Sequence, residues 1–260
     1  MIETPAHSCR FIQSYSSWSC SPAELHYASD CGTKVQILVN MAMENPEKIS
    51  LQFELLNTYY SEIACKMSYT PNFANNHSIG GAPFHAGAQE ESLCRCSTLL
   101  PCLEAMKYKF YDKHRHQYVN GEIDFRGNDD LIYTPNVVVF KSDELTDPVY
   151  PKMIDDWYEV NIITSAAPEI GGHSLPENYE QLITSRIKKI LDVAAREHNE
   201  VLILGAWGCG AFKNPTDIVA RVFFSLLEDY NFETVEFALS TKGDVSDSPF
   251  AKYCEGKEKN

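Results

Sequence analysis

The stretch from residue 179 to 239 constrains the fold most, because it reads as an unbroken alternation of helix and strand. Tyr179, Leu182, Ile183, Ile187, Ile190, Leu191 and Ala194 recur on one face of a helical period. Val201–Leu204 is a short, wholly apolar run of buried-strand type. Asn214-Pro215 supplies an N-cap residue and a proline at the first helical position, and Val219, Val222, Phe223, Leu226 and Leu227 carry the helix that follows. Thr234–Leu239 reads as the last strand. Strands joined by crossover helices return parallel to one another, so this order predicts an α/β fold with a largely parallel sheet covered on both faces.

Upstream, Val137–Phe140 and Val160–Thr164 are further short apolar runs, and Lys34–Val39 and Ser50–Leu56 also read as strands. Tyr60–Ser68 predicts a short helix, and a longer one is expected from Gln89 through Cys102. Met67–Gly81, rich in Asn, Pro, Ser and Gly, reads as a loop, as does Pro168–Pro176.

With 260 residues and 44% hydrophobic content, the chain can bury one sizeable core. Residues 1–33 read as an extension packed on the domain, 34–250 as the domain, and 251–260 as a charged, disordered tail. A net charge of −14 lacks the basic footprint of a nucleic-acid binder, so an anionic ligand would be held by local dipoles. The nine cysteines include no C-x-x-C pair and fit reduced thiols better than a disulfide scaffold. No apolar run reaches membrane-span length and Met1–Arg10 has no signal-peptide core, so a cytoplasmic location is expected.

Ligands of open α/β sheets bind at the carboxyl ends of strands, where Gly205–Asn214 lies. Gly205, Gly208 and Gly210 allow close backbone approach, and the amides of such a turn attract phosphate without a cationic side chain. The segment is neither a P-loop nor a G-x-G-x-x-G fingerprint, and the glycines serve a plain tight turn equally well. Trp207 and Phe212 fit the core or a stacking role, and Cys209 fits packing better than a reactive thiol.

A second candidate is Gly80-Gly81-Ala82 leading to Gln89-Glu90-Glu91. Adjacent carboxylates at a helix start can divide the work of glycosidic cleavage, one gripping a hydroxyl while the other protonates the leaving group. They also serve simply as acidic residues complementing a helix dipole. His114-Arg115-His116 lacks further metal ligands at sensible spacing and reads as a polar loop.

Taken together, these segments resemble the microbial-type poly(ADP-ribose) glycohydrolase family, a divergent macrodomain group whose catalytic loop runs from a glycine triplet to Gln-Glu-Glu. Asn72-Phe73-Ala74-Asn75, Gly80-Gly81-Ala82, Gln89-Glu90-Glu91 with Ser92–Leu99, Tyr133–Val137 with Val139-Phe140, Ile163–Pro168 and Gly205–Phe212 are similar to the family in order, across about residues 50–245. The resemblance implies a three-layer α/β/α macrodomain with a central mixed, mostly parallel sheet. It implies Glu91 as the acid that protonates the leaving oxygen and then activates water, Glu90 as a grip on ribose hydroxyls, and Asn72 as orienting the distal ribose. It also implies ligand contacts from Gly80, Gly81, Gln89, Ala166, Pro168, Gly205, Gly208, Cys209, Gly210, Ala211 and Phe212, with the 205–212 loop carrying the diphosphate. The implied partner is ADP-ribose or an ADP-ribosylated protein, with no metal or redox cofactor. Ala82 stands where the triplet has its third glycine. Release of ADP-ribose from poly(ADP-ribose), release of single units from protein side chains, and binding without cleavage are the implied functions, and the retained Glu90 and Glu91 weigh against a pure reader.

Overall fold

A computed structural model describes residues 10–12, 17–19, 68–83, 85–142, 152–239 and 248–254. The strands are β1 (Arg10–Ile12), β2 (Ser17–Ser19), β3 (Ser68–Phe73), β4 (Leu131–Ser142), β5 (Lys152–Ser165), β6 (Val201–Gly205) and β7 (Thr234–Ala238). The α-helices are α1 (Gln89–Cys96), α2 (Leu99–Ala105), α3 (Asp112–Val119), α4 (Tyr179–Arg196), α5 (Thr216–Leu227) and α6 (Pro249–Cys254), with a π-helical turn at Lys107–Tyr111 before α3.

A five-strand sheet in the order β4-β5-β3-β6-β7 forms the centre, and β1 and β2 extend it beyond β4. β5, β3, β6 and β7 run parallel, while β4 pairs antiparallel with β5. The sheet is thus mixed and mostly parallel, with helices on each face, as expected for the three-layer α/β/α class. Alternation along β6 divides the core. Val201 and Ile203 pack with Leu93, Leu99, Leu103 and Phe110 on one face, and Leu202 and Leu204 pack with Ile183, Ile187, Val219 and Phe223 on the other.

The helix–strand alternation of the last third is present as read, with α4, β6, α5 and β7 in place. Other readings need correction. Met67–Gly81 is not all loop, because Ser68–Phe73 within it forms β3, a central strand despite Pro71 and Asn72. Its ladder to β6 covers only Ser68 and Tyr69, so Pro71, which has no N–H to give, lies beyond that pairing. The helix expected from Gln89 to Cys102 is two helices. The Ser97 hydroxyl donates to the Leu93 carbonyl, and Thr98 exchanges hydrogen bonds with Val138 of β4, which draws the backbone out of the helical path. Asn214 does not cap α5, whose preceding residue is Pro215 with no side-chain cap. His114-Arg115-His116 lies in α3 rather than in a loop. The strands expected at Lys34–Val39 and Ser50–Leu56, nearly all of the helix expected at Tyr60–Ser68, and Glu255–Asn260 lie outside the described residues. No helix among the described residues is long and apolar enough to cross a membrane.

Candidate active site

Gln89, the first residue of α1, ties that helix to the end of β3. Its side-chain amide donates to the Pro71 carbonyl at 2.7 Å and accepts from the Phe73 N–H at 2.8 Å. Both ends of this amide are committed to the backbone, so Gln89 builds the site from beneath. The next two residues, Glu90 and Glu91, are buried beside the strand terminus.

Glu90 is held on both oxygens. Oε1 accepts from Asn72 Nδ2 at 3.3 Å and Oε2 from the Asn75 N–H at 2.8 Å. Burial pushes its carboxyl up to about 8, with Glu91 adding in the same direction and the bonds from Asn75 and Asn72 opposing. Glu91 is held on one oxygen only. Its Oε1 accepts from the Ala82 N–H at 3.1 Å, and its Oε2 is buried without a partner. Asn72 Nδ2 also donates to Thr164 Oγ1 at 3.2 Å, which leaves Asn72 Oδ1 a second buried, unpartnered acceptor.

Gly81 lies directly over the two carboxylates. A Cβ there would fall 2.2 Å from Glu91 Oε1 and 3.1 Å from Glu90 Oε2, and its φ of +68° is one that L-residues rarely adopt. Gly80, at φ +65°, packs on the Cys94 sulfur in the same way. Ala82 is not among the described non-glycine residues with positive φ, so an alanine stands there without backbone strain.

The glycine-rich turn after β6 sits across the same edge of the sheet. Asn72, Ala166–Pro168 and Gly205–Phe212 lie at or just beyond the carboxyl ends of β3, β5 and β6, three adjacent parallel strands. The turn and the loop after β5 are stitched together. Trp207, fully buried, donates through Nε1 to the Ser165 carbonyl at 3.0 Å. Asn214 Nδ2 donates to the carbonyls of Pro168 and Gly208, and Asn214 Oδ1 accepts from the Tyr179 hydroxyl. The Ile170 and Gly171 amides donate to the Phe212 carbonyl.

Gly208, at φ +73°, is required here, since a Cβ would meet the Ala167 Cβ at 2.4 Å. Within the turn, backbone bonds use the amides of Trp207, Cys209, Lys213 and Asn214, and those of Gly208, Gly210, Ala211 and Phe212 take no part. Gly210 and Ala211 are exposed. Phe212 is half-buried against the core. Burial pushes the Cys209 thiol up to about 11, which keeps it protonated and fits a packing role.

Three supports escaped the sequence reading. Arg95, buried in α1, donates from Nη1 to the carbonyls of Pro83 and Ala86 in the loop that crosses the glutamates. The turn that presents the Asn75 amide is held from α3, by Arg115 Nη1 on the His77 carbonyl and by His114 Nδ1 against the Asn76 carbonyl, while His114 Nε2 pairs with Asp130. Arg186 of α4 holds the Ala166 carbonyl and pairs with Asp129. Signal for these was weak, since a lone cation in an amphipathic helix ordinarily reads as its solvated face. Among the described residues, no three His, Cys, Asp or Glu side chains come together as a metal site.

The sequence pattern of the microbial-type PARG catalytic domain matches residues 19–142, a span that includes Asn72, Gly80-Gly81 and Gln89-Glu90-Glu91. The chain carries the PARG-type catalytic-domain signature. The poly(ADP-ribose) glycohydrolase of Thermomonospora curvata bound to the inhibitor ADP-HPD is 27% identical, with 95% of this chain and 93% of that one covered and a TM-score of 0.68. The Deinococcus radiodurans poly(ADP-ribose) glycohydrolase in complex with ADP-ribose is likewise 27% identical, over 95% and 94% of the two chains, with a TM-score of 0.69. No curated protein sequence matches the chain significantly. The PARG-like likeness therefore spans both halves of the site, the acidic loop and the glycine turn after β6.

Proposed function

We propose that this protein is an ADP-ribosyl hydrolase that cleaves the glycosidic bond at the distal ribose of ADP-ribose and releases ADP-ribose. The observation that carries this reading is the pair of buried carboxylates under Gly81, one fully held and one with an oxygen to spare. Glu90, fixed by Asn72 and Asn75, is suited to grip ribose hydroxyls. Glu91, whose Oε2 is unpartnered, is suited to protonate the leaving oxygen as the bond to the anomeric carbon breaks. The resulting carboxylate then takes a proton from the water that adds to that carbon. Asn72 Oδ1 is placed to accept from a distal-ribose hydroxyl. The amides of Gly208, Gly210, Ala211 and Phe212 would hold the diphosphate, as suits a chain with net charge −14. The likeness to a glycohydrolase solved with ADP-ribose supports the ligand class.

The leaving group is read as a further ADP-ribose unit of a poly(ADP-ribose) chain. One observation favours a second reading, in which single ADP-ribose units are removed from protein side chains. Ala82 and Pro83 make the loop over the scissile bond bulkier than a glycine triplet, and a net charge of −14 disfavours a long polyanion. Incubation with automodified poly(ADP-ribosyl) protein and with mono-modified proteins of defined linkage, followed by chromatography of the released ADP-ribose, tests both. Release from neither substrate would refute hydrolysis.

A further inference from the structure

We propose that Arg95 is a positioning residue for Glu91, acting through the loop that lies over the two glutamates. Glu91 and Arg95 stand one helical turn apart on α1, at the i, i+4 spacing that places side chains on one face. Both grip the same loop by opposite chemistry. Glu91 Oε1 accepts from the Ala82 N–H at 3.1 Å, and Arg95 Nη1 donates to the Pro83 carbonyl at 2.7 Å and the Ala86 carbonyl at 2.9 Å. The loop is closed on itself by the His85 and Ala86 amides, which both donate to the Ala82 carbonyl. Where Arg95 holds Pro83 and Ala86, it therefore also sets where the Ala82 N–H points. Because that N–H fixes Glu91 Oε1, it sets the aim of Oε2.

A buried guanidinium is costly, and packing alone would be served better by an apolar side chain of similar volume. Arginine has a property that this position uses: its Nη1 carries two N–H donors in one plane, enough to hold the Pro83 and Ala86 carbonyls together. Arg95 is buried under the loop with Cys94 beside it, whose sulfur supports Gly80.

This inference rests on the reading of Glu91 as the acid, and its test separates the two. Arg95→Met keeps an unbranched apolar stem and removes the donors. Backbone exchange at Gly81, Ala82 and Ala86 should speed up at least about tenfold in this variant, with exchange in β6 and α4 unchanged. The single-turnover rate of ADP-ribose release should fall at least about tenfold while the dissociation constant for free ADP-ribose stays within about threefold. Guanidinium ion should restore part of the turnover to Arg95→Ala and less to Arg95→Met, whose side chain fills more of the space. Wild-type exchange together with wild-type turnover in Arg95→Met would overturn the proposal. If Arg95→Met does not fold, Arg95→Gln, which has no charge and a shorter reach, is read by the same measurements. If the wild-type protein releases no ADP-ribose, the hydrolase reading fails, and the exchange rates still decide whether Arg95 holds the loop.

Discussion

Replacing Glu90 by glutamine should stabilise the protein, and more so as the pH rises. Burial holds the Glu90 carboxyl at about 8 in the folded chain, against an ordinary value of 4.5. Below pH 4.5 the folded and unfolded chains both carry the proton, and Glu90 costs folding nothing. From there to about 8 the unfolded chain ionises while the folded chain keeps its proton, so stability falls by ~1.4 kcal/mol per pH unit. Above 8 both states are ionised and the loss levels off. Between pH 5 and pH 8 the expected loss due to this one group is about 3 kcal/mol. Glutamine is nearly isosteric and does not titrate. It can still accept from the Asn75 N–H, and its amide can donate to Asn72 Oδ1 once Asn72 turns over. Urea unfolding of both proteins at pH 5, 6, 7 and 8, followed by tryptophan fluorescence, gives the difference directly, because the other titrating groups are common to both. A Glu90→Gln advantage that widens by about 3 kcal/mol from pH 5 to 8 is expected. A difference constant across that range would refute burial as the cause of the shift.

Gly81→Ala places a Cβ on both carboxylates at a positive φ, so turnover should be lost and stability should fall by about 1–2 kcal/mol, read from kinetics and urea unfolding. Gly208→Ala forces the Gly205–Phe212 turn away from Ala167, and calorimetry should show ADP-ribose affinity weakened at least about tenfold, with the fold intact by circular dichroism. Ala82→Gly needs no new backbone conformation. It should keep turnover within about threefold and cost about 0.4–1 kcal/mol of stability through the freer unfolded chain, measured by urea unfolding.

The fold was legible where the chain obeys one period at a time. The stripe of α4 and the wholly apolar Val201–Leu204 each point to one structure, and both stand as read. Reading fails where local rules yield to the site. β3 carries Pro71 and Asn72 in a central strand, so its composition is that of a loop, yet it is the strand that delivers Asn72 to Glu90. The break at Ser97-Thr98 depends on a partner in β4 some 40 residues away, which no local window contains. Asn214-Pro215 reads as a helix start, but the asparagine amide is drawn instead to Pro168 and Gly208, where it closes the glycine turn after β6. Glu90 and Glu91 were visible as a pair from sequence. Their burial, and the difference between one oxygen held and two, depend on Asn75, Ala82 and Gly81, which only the tertiary fold brings over them.

The most direct test of the central claim is a paired measurement on Glu91→Gln: the dissociation constant for ADP-ribose by calorimetry, and ADP-ribose release from whichever modified substrate the wild-type protein turns over. Affinity within about threefold of wild type and turnover reduced at least about a thousandfold are expected, because glutamine keeps the shape and the bond from Ala82 but has no proton to give. Wild-type turnover in Glu91→Gln would contradict it and remove Glu91 from the chemistry.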